Sequence, residues 1–158
     1  MSAVLSDCGA YRYRLGRDWG DGPHDVWVML NPSTADATAD DPTIRRCVGF
    51  SRRWGAGGLT VVNLYALRAT DPAELARHAD PVGPDNDEHV RDVVLEAYRD
   101  GGRIVCAWGA HPFAAPRALN VAEGLRGLDA LCLGMTASGA PRHPLYVRGE
   151  TEPIAWPA

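Results

Sequence analysis

Between Asp25 and Leu30 the chain reads DVWVML, and this apolar run stops at Asn31-Pro32. So short a run, rich in valine and closed by a turn signal, suits a strand covered on both faces. A polar loop carrying Asp36, Asp40 and Asp41 follows, and Asp41-Pro42 then opens DPTIRRCVGFSRRWG, residues 41–55. Aspartate is a strong N-cap, and proline fits the first helical position. Ile44, Cys47, Val48, Ser51 and Trp54 fall on one side of this helix, and Arg45, Arg46, Arg52 and Arg53 on the other. The glycines from Gly55 to Gly58 end it. A buried strand, a polar loop and a helix form one half of an α/β unit. In such units ligands sit beyond the carboxyl ends of the strands.

The remaining segments fit that frame. YRYRL (11–15) alternates and suits an edge strand. LTVVNLYAL (59–67), RIVCAWG (103–109) and LDALCLG (128–134) are expected strands. DPAELARH (71–78), PDNDEHVRDVVLEAYRDGG (84–102) and PRALNVAEGLRG (116–127) are expected helices. HPLYV (143–147) is either a last short strand or a docking segment. The alternation predicts a single α/β domain over residues 1–158, a three-layer sandwich with a short, mostly parallel central sheet and helices on both faces.

Composition removes several function classes. A net charge of −4 argues against a strongly basic nucleic-acid binder, so DNA is possible as a partner but not favoured. It would need Arg45, Arg46, Arg142 and Arg148 gathered on one face. Cys8, Cys47, Cys106 and Cys132 form no CxxC pair and read as reduced core thiols. The absence of an apolar leader and of a spanning segment points to a cytoplasmic address with no membrane partner. The histidines have no metal-ligand spacing, WGAGG (54–58) lacks the Lys-Ser/Thr of a phosphate loop, and no nucleophile elbow occurs. No metal and no cofactor is expected, and the oligomeric state stays open.

If the sheet is parallel, Asn31, Asn63, Trp108 and the segment around Thr136, Ser138 and Gly139 converge on one rim. A carboxamide presents donors and acceptors on one plane, so Asn31 and Asn63 could read the edge of a nucleobase, or Asn31 could hold a water. Trp108 or Tyr65 could stack on a planar ligand. His143 could donate to a carbonyl oxygen that gains charge, and Asp36 could orient a water. Ser33, Thr43 and Arg45 lie where the helix amino end meets that rim, which favours anions. The plainer alternatives are a simple Asn-Pro turn, a packing tryptophan and a solvated arginine face.

The strings LNPSTADATADDPTIRRC (30–47), NLYALRATDP (63–72) and GMTASGAPRHPLYV (134–147) are similar to a bacterial and phage family catalogued as domain of unknown function 1643. More distantly, VMLNPS (28–33), VVNLYALRAT (61–70), RIVCAWG and HPLYV resemble the motifs of mismatch-type uracil-DNA glycosylases, with Ser33 where the first motif has glycine and Leu145 where the last has serine. That likeness implies the glycosylase α/β sandwich. By position it implies Asn31 as the residue that places water, Asn63 as the reader of the pyrimidine, and His143 as the histidine facing the base carbonyl. Three functions are compatible: a nucleobase- or nucleotide-binding enzyme that hydrolyses an N-glycosidic bond, a non-catalytic binding module for a nucleotide or modified base, and an enzyme on a free nucleotide or other small phosphorylated molecule.

Overall fold

The computed structural model describes residues 1–157. The Asp25–Leu30 run forms strand β3 (His24–Met29), at the centre of the sheet. It is flanked in parallel by β4 (Gly58–Asn63) and β5 (Ile104–Cys106), and β6 (Leu131–Cys132) adds a further parallel neighbour to β5. β2 (Arg12–Asp18) runs antiparallel to β4, and β1 (Ser2–Leu5) antiparallel to β2. β7 (Ile154–Ala155) closes the far side antiparallel to β6.

Among the described residues the sheet therefore has seven strands, in the order β1-β2-β4-β3-β5-β6-β7. It is a mixed sheet with a parallel centre, and not the short, mostly parallel one expected. The stretch at 11–15 is not an edge either, because the short and largely exposed β1 covers it.

Helix α1 (Pro42–Arg53) lies on one face, and α2 (Asn86–Asp100) and α3 (Ala115–Gly124) on the other. On the first face Trp27, Met29, Val61 and Val105 pack against Ile44, Cys47 and Phe50. Trp27 stacks on Trp54 with ring centroids 5.8 Å apart, and its indole Nε1 donates to Ser51 Oγ at 3.0 Å. On the second face Val28, Val62 and Ile104 meet Val90, Val94 and Val121. Cys47, Cys106 and Cys132 are buried free thiols as expected, whereas Cys8 is exposed.

Local chemistry explains where elements stop. Asp41 caps α1, its Oδ1 accepting from the Ile44 N–H at 2.9 Å. The expected strand 59–67 ends at Asn63, because Ala66 and Leu67 turn their N–H groups to the carbonyls of Val82 and Pro81. Residues 71–78 form a 3-10 turn, Pro72–Arg77, capped by Asp71, rather than an α-helix. HPLYV is a docking segment. Its 3-10 turn, Pro144–Tyr146, is held on α1 by Arg46, which donates to the carbonyls of Pro144 and Val147.

The entry to β5 leaves no room for a side chain. A Cβ on Gly102 would lie 1.7 Å from the His24 carbonyl oxygen, at the start of β3. Gly102→Ala is expected to push β5 off β3 and cost about 1–3 kcal/mol, read as a lowered urea midpoint. An unchanged midpoint would contradict this packing.

Candidate functional site

A cavity of about 290 Å³ opens at the carboxyl ends of β3, β4 and β5, where the amino end of α1 and the His143–Tyr146 turn meet them. Its walls include Asn31, Ser33, Thr43, Asn63, Trp108 and His143, six of the residues singled out from the sequence.

Asn63 is the last residue of β4 and pairs in register with Met29. It is 1% exposed, yet neither its Nδ2 nor its Oδ1 has a hydrogen-bond partner. Buried polar groups are almost always paired, so this one asks for an explanation. The backbone around it is pinned: Asn86, at the start of α2, donates to the Asn63 carbonyl at 2.9 Å and to that of Leu64 at 3.2 Å, and Arg117 Nε reaches Leu64 at 2.8 Å. A fixed main chain thus holds an unsatisfied carboxamide in the wall of the cavity.

Asn31 behaves differently. Its Nδ2 donates to the carbonyls of Pro32 at 3.0 Å and Ala69 at 2.9 Å, which ties the loop after β3 to the loop after β4. Its Oδ1 accepts no bond among the described residues and remains an acceptor at the cavity wall. Trp108 is buried and set edge-on against Trp156, with centroids 5.6 Å apart. Gly109 follows at φ 78°, a left-handed turn that brings the chain against His143.

His143 caps its own 3-10 turn, with Nδ1 accepting from the Leu145 N–H at 3.2 Å. In the neutral ring the hydrogen therefore sits on Nε2, a donor. Burial lowers the pKa of this ring below the ordinary 6.5, against the opposing pull of Asp41. His111 also lines the cavity and repeats the arrangement, its Nδ1 accepting from the Phe113 N–H at 3.1 Å. The repeated His-Pro dipeptide was the available signal for His111.

Four expected residues lie outside this cavity. Asp36 is exposed and closes its own turn, accepting from the N–H groups of Thr38 and Ala39, both at 2.8 Å, and these bonds lower its pKa. Arg45 points outward and donates to the Asp40 carbonyl at 2.9 Å. Tyr65 belongs to the core on the α2 side, stacked on Phe113 and donating to the Phe113 carbonyl at 2.7 Å. Gly139 sits in the turn bounded by Thr136 and Ala140, beside an adjoining apolar groove.

Arg12 is the cavity residue that pattern reading misses. Simple alternation groups Arg12 with Arg14, away from Leu15. A register shift between β1 and β2 breaks that rule, because Val4 pairs with Arg14 and Leu5 with Arg12. Tyr13 and Arg14 then both reach α2. Tyr13 stacks on His89 with centroids 4.7 Å apart, and Arg14 Nε donates to His89 Nδ1 at 2.7 Å. The extra residue turns Arg12 to the α1 face, where its Nη1 donates to the Ala35 carbonyl. Burial brings the Arg12 pKa down to about 10, so the guanidinium remains a cation at neutral pH.

A family profile described as Protein of unknown function (DUF1643) matches residues 12–145, a span that holds the cavity lining from Arg12 to His143. The chain belongs to the DUF1643 family. No curated protein and no solved structure matches it significantly. Among the described residues no group of three or more His, Cys, Asp or Glu side chains could hold a metal ion, and no helix is long and apolar enough to cross a membrane.

The state of His143 has a measurable consequence. Its folded pKa lies below its unfolded value, so as pH falls the unfolded chain takes up the proton first. The associated stability is complete above pH 6.5 and is lost as pH drops through that value toward the folded pKa. In an NMR titration the His143 ring is expected to stay neutral, with hydrogen on Nε2, to below pH 6.5. His143→Gln should reduce the fall in urea midpoint on acidification. A ring that titrates above 6.5 would contradict this geometry.

Proposed function

We propose that the DUF1643 cavity binds a nucleobase, free or within a nucleotide, and that the protein hydrolyses the N-glycosidic bond in the manner of uracil-DNA glycosylases. The observation that carries this reading is the buried Asn63 carboxamide, with both donor and acceptor unused at a cavity wall. A planar heterocycle offering one acceptor and one donor on its edge would satisfy both atoms at once. The cavity volume lies near the lower end of small-molecule sites, which run from about 300 Å³ upward, and so favours a ligand no larger than a mononucleotide. A parallel strand centre covered by helices on both faces also supports the glycosylase-like sandwich.

In this reading bond cleavage is dissociative. The anomeric C–N bond breaks with its electron pair leaving on the base, and the sugar becomes oxocarbenium-like. The Nε2–H of neutral His143 donates to the base carbonyl as negative charge collects there. Water then adds to the anomeric carbon, and one of its protons ends on the departed base. Asn31 Oδ1 serves as the acceptor that orients this water.

One observation favours binding without turnover. Asp36, the carboxylate expected to orient water, lies outside the cavity in its own turn, and Asn31 offers an amide oxygen that can accept a hydrogen bond but is too weakly basic to take a proton from water. Duplex DNA remains the less favoured substrate, because Arg45 and Arg46 are engaged with backbone carbonyls.

Calorimetry with nucleobases and nucleosides tests recognition. Asn63→Ala is expected to weaken binding about 10- to 100-fold, the cost of removing both hydrogen bonds. Chromatography of released base tests turnover, where His143→Gln should slow release about 100-fold or more while leaving affinity nearly intact. Equal affinity in wild type and Asn63→Ala would refute the base-reading role. Binding with no release by wild type would leave the non-catalytic module.

A further inference from the structure

Arg12 and Arg17 are both 3% exposed, yet their surroundings are opposite. Arg17 is fully engaged. Its Nε pairs with the Asp40 carboxylate at 2.7 Å, its Nη1 donates to the Gly16 carbonyl at 2.8 Å, and its Nη2 donates to the Asp36 backbone carbonyl at 2.5 Å. Arg12 has a single acceptor, the Ala35 carbonyl on Nη1. Its Nε is shielded from solvent with no partner, its Nη2 makes no hydrogen bond, and no carboxylate lies within 4.0 Å of it, all among the described residues. Asp41 is the carboxylate that most favours its charge, and one Asp41 oxygen is spent on the Ile44 N–H.

A buried cation without a counterion is costly, and apolar residues commonly replace such groups with no loss of stability. A chain that keeps one beside a cavity has a use for it. The unused edge, Nε with Nη2, is the fork that grips two oxygens of one carboxylate or phosphate. The amino end of the twelve-residue α1 opens on the same cavity, its first turn carries no acidic residue, and the Ser33 and Thr43 side chains line the wall. The helix end and the two hydroxyl side chains favour an anion there, set against the Asp41 carboxylate on the same wall.

We propose that the cavity ligand carries an oxyanion that docks on the Nε–Nη2 edge of Arg12. Resting on the base-binding reading above, this makes the substrate class a nucleoside monophosphate rather than a neutral base or nucleoside. The base meets Asn63 and the phosphate meets Arg12, so two unsatisfied groups on neighbouring strands are completed by two ends of one molecule.

Calorimetry and thermal shift with the common nucleosides, their 5′-monophosphates, ribose 5-phosphate and inorganic phosphate test this. Wild type is expected to bind a monophosphate at least about 10-fold more tightly than its nucleoside, the range for hydrogen bonds to a charged group. Arg12→Met should abolish that difference and melt no lower than wild type. Arg12→Lys, which keeps the charge without the fork, should retain only part of it and serves if the methionine variant fails to fold. Arg12-dependent binding of ribose 5-phosphate or phosphate, with no contribution from any nucleoside, would uphold the anion site and reject the base. Nucleosides that bind as tightly as their monophosphates, or a monophosphate preference that survives both substitutions, would overturn the role of Arg12 and leave the base reading standing. No binding by any probe would reject both.

Discussion

The site depends on how α1 is seated. Trp27, from the central strand, lies under the helix, stacked on Trp54, tilted against Phe50 and bonded to Ser51. This contact fixes the helix along the sheet, so its amino end projects over the strand ends. Arg46 extends the same rigid body by clamping the His143–Val147 turn onto α1. The cavity is thus enclosed by elements that packing holds in place: the ends of β3 and β4, the first turn of α1, and a turn carried by that helix.

Within this frame the protein leaves polar groups unsatisfied where it could have closed them. Asn63 has two unused amide atoms, and Arg12 an unused edge and no counterion. Each costs stability in the empty state. Both residues belong to the wall of one cavity; elsewhere among the described residues the Tyr13 hydroxyl, one Asp25 oxygen, Asn86 Oδ1 and the Trp54 and Trp156 indole N–H groups are also buried without partners, while the buried Arg17 is satisfied by Asp40 and three carbonyls. The clustering of Asn63 and Arg12 at one cavity, rather than the lack of partners alone, is what points to a binding function. It also fits a ligand that is polar at both ends.

Much of this was legible in the sequence, for identifiable reasons. Asp41-Pro42 marks the start of α1 because capping chemistry is local, and the apolar run before Asn31 marks β3 because burial on both faces leaves little else. Asn31, Asn63, Trp108 and His143 share the cavity because parallel strands carry their carboxyl ends to one rim. Long-range pairings were not legible. The four residues of β1 carry little pattern, so β2 looked like an edge, and the sheet looked shorter and more parallel than it is. Arg12 was hidden by one extra residue in β2 that reverses its face. Tyr65 was misplaced because β4 ends two residues earlier, and Arg45 because the neighbouring Ile44 takes the inward position.

The most direct measurement of the central claim is a crystal structure with a nucleoside monophosphate soaked into the cavity. The account predicts density at the strand ends with the heterocycle edge against the Asn63 carboxamide and the phosphate on the Nε–Nη2 edge of Arg12. Density in which ordered water satisfies both side chains and the nucleotide lies elsewhere would contradict it.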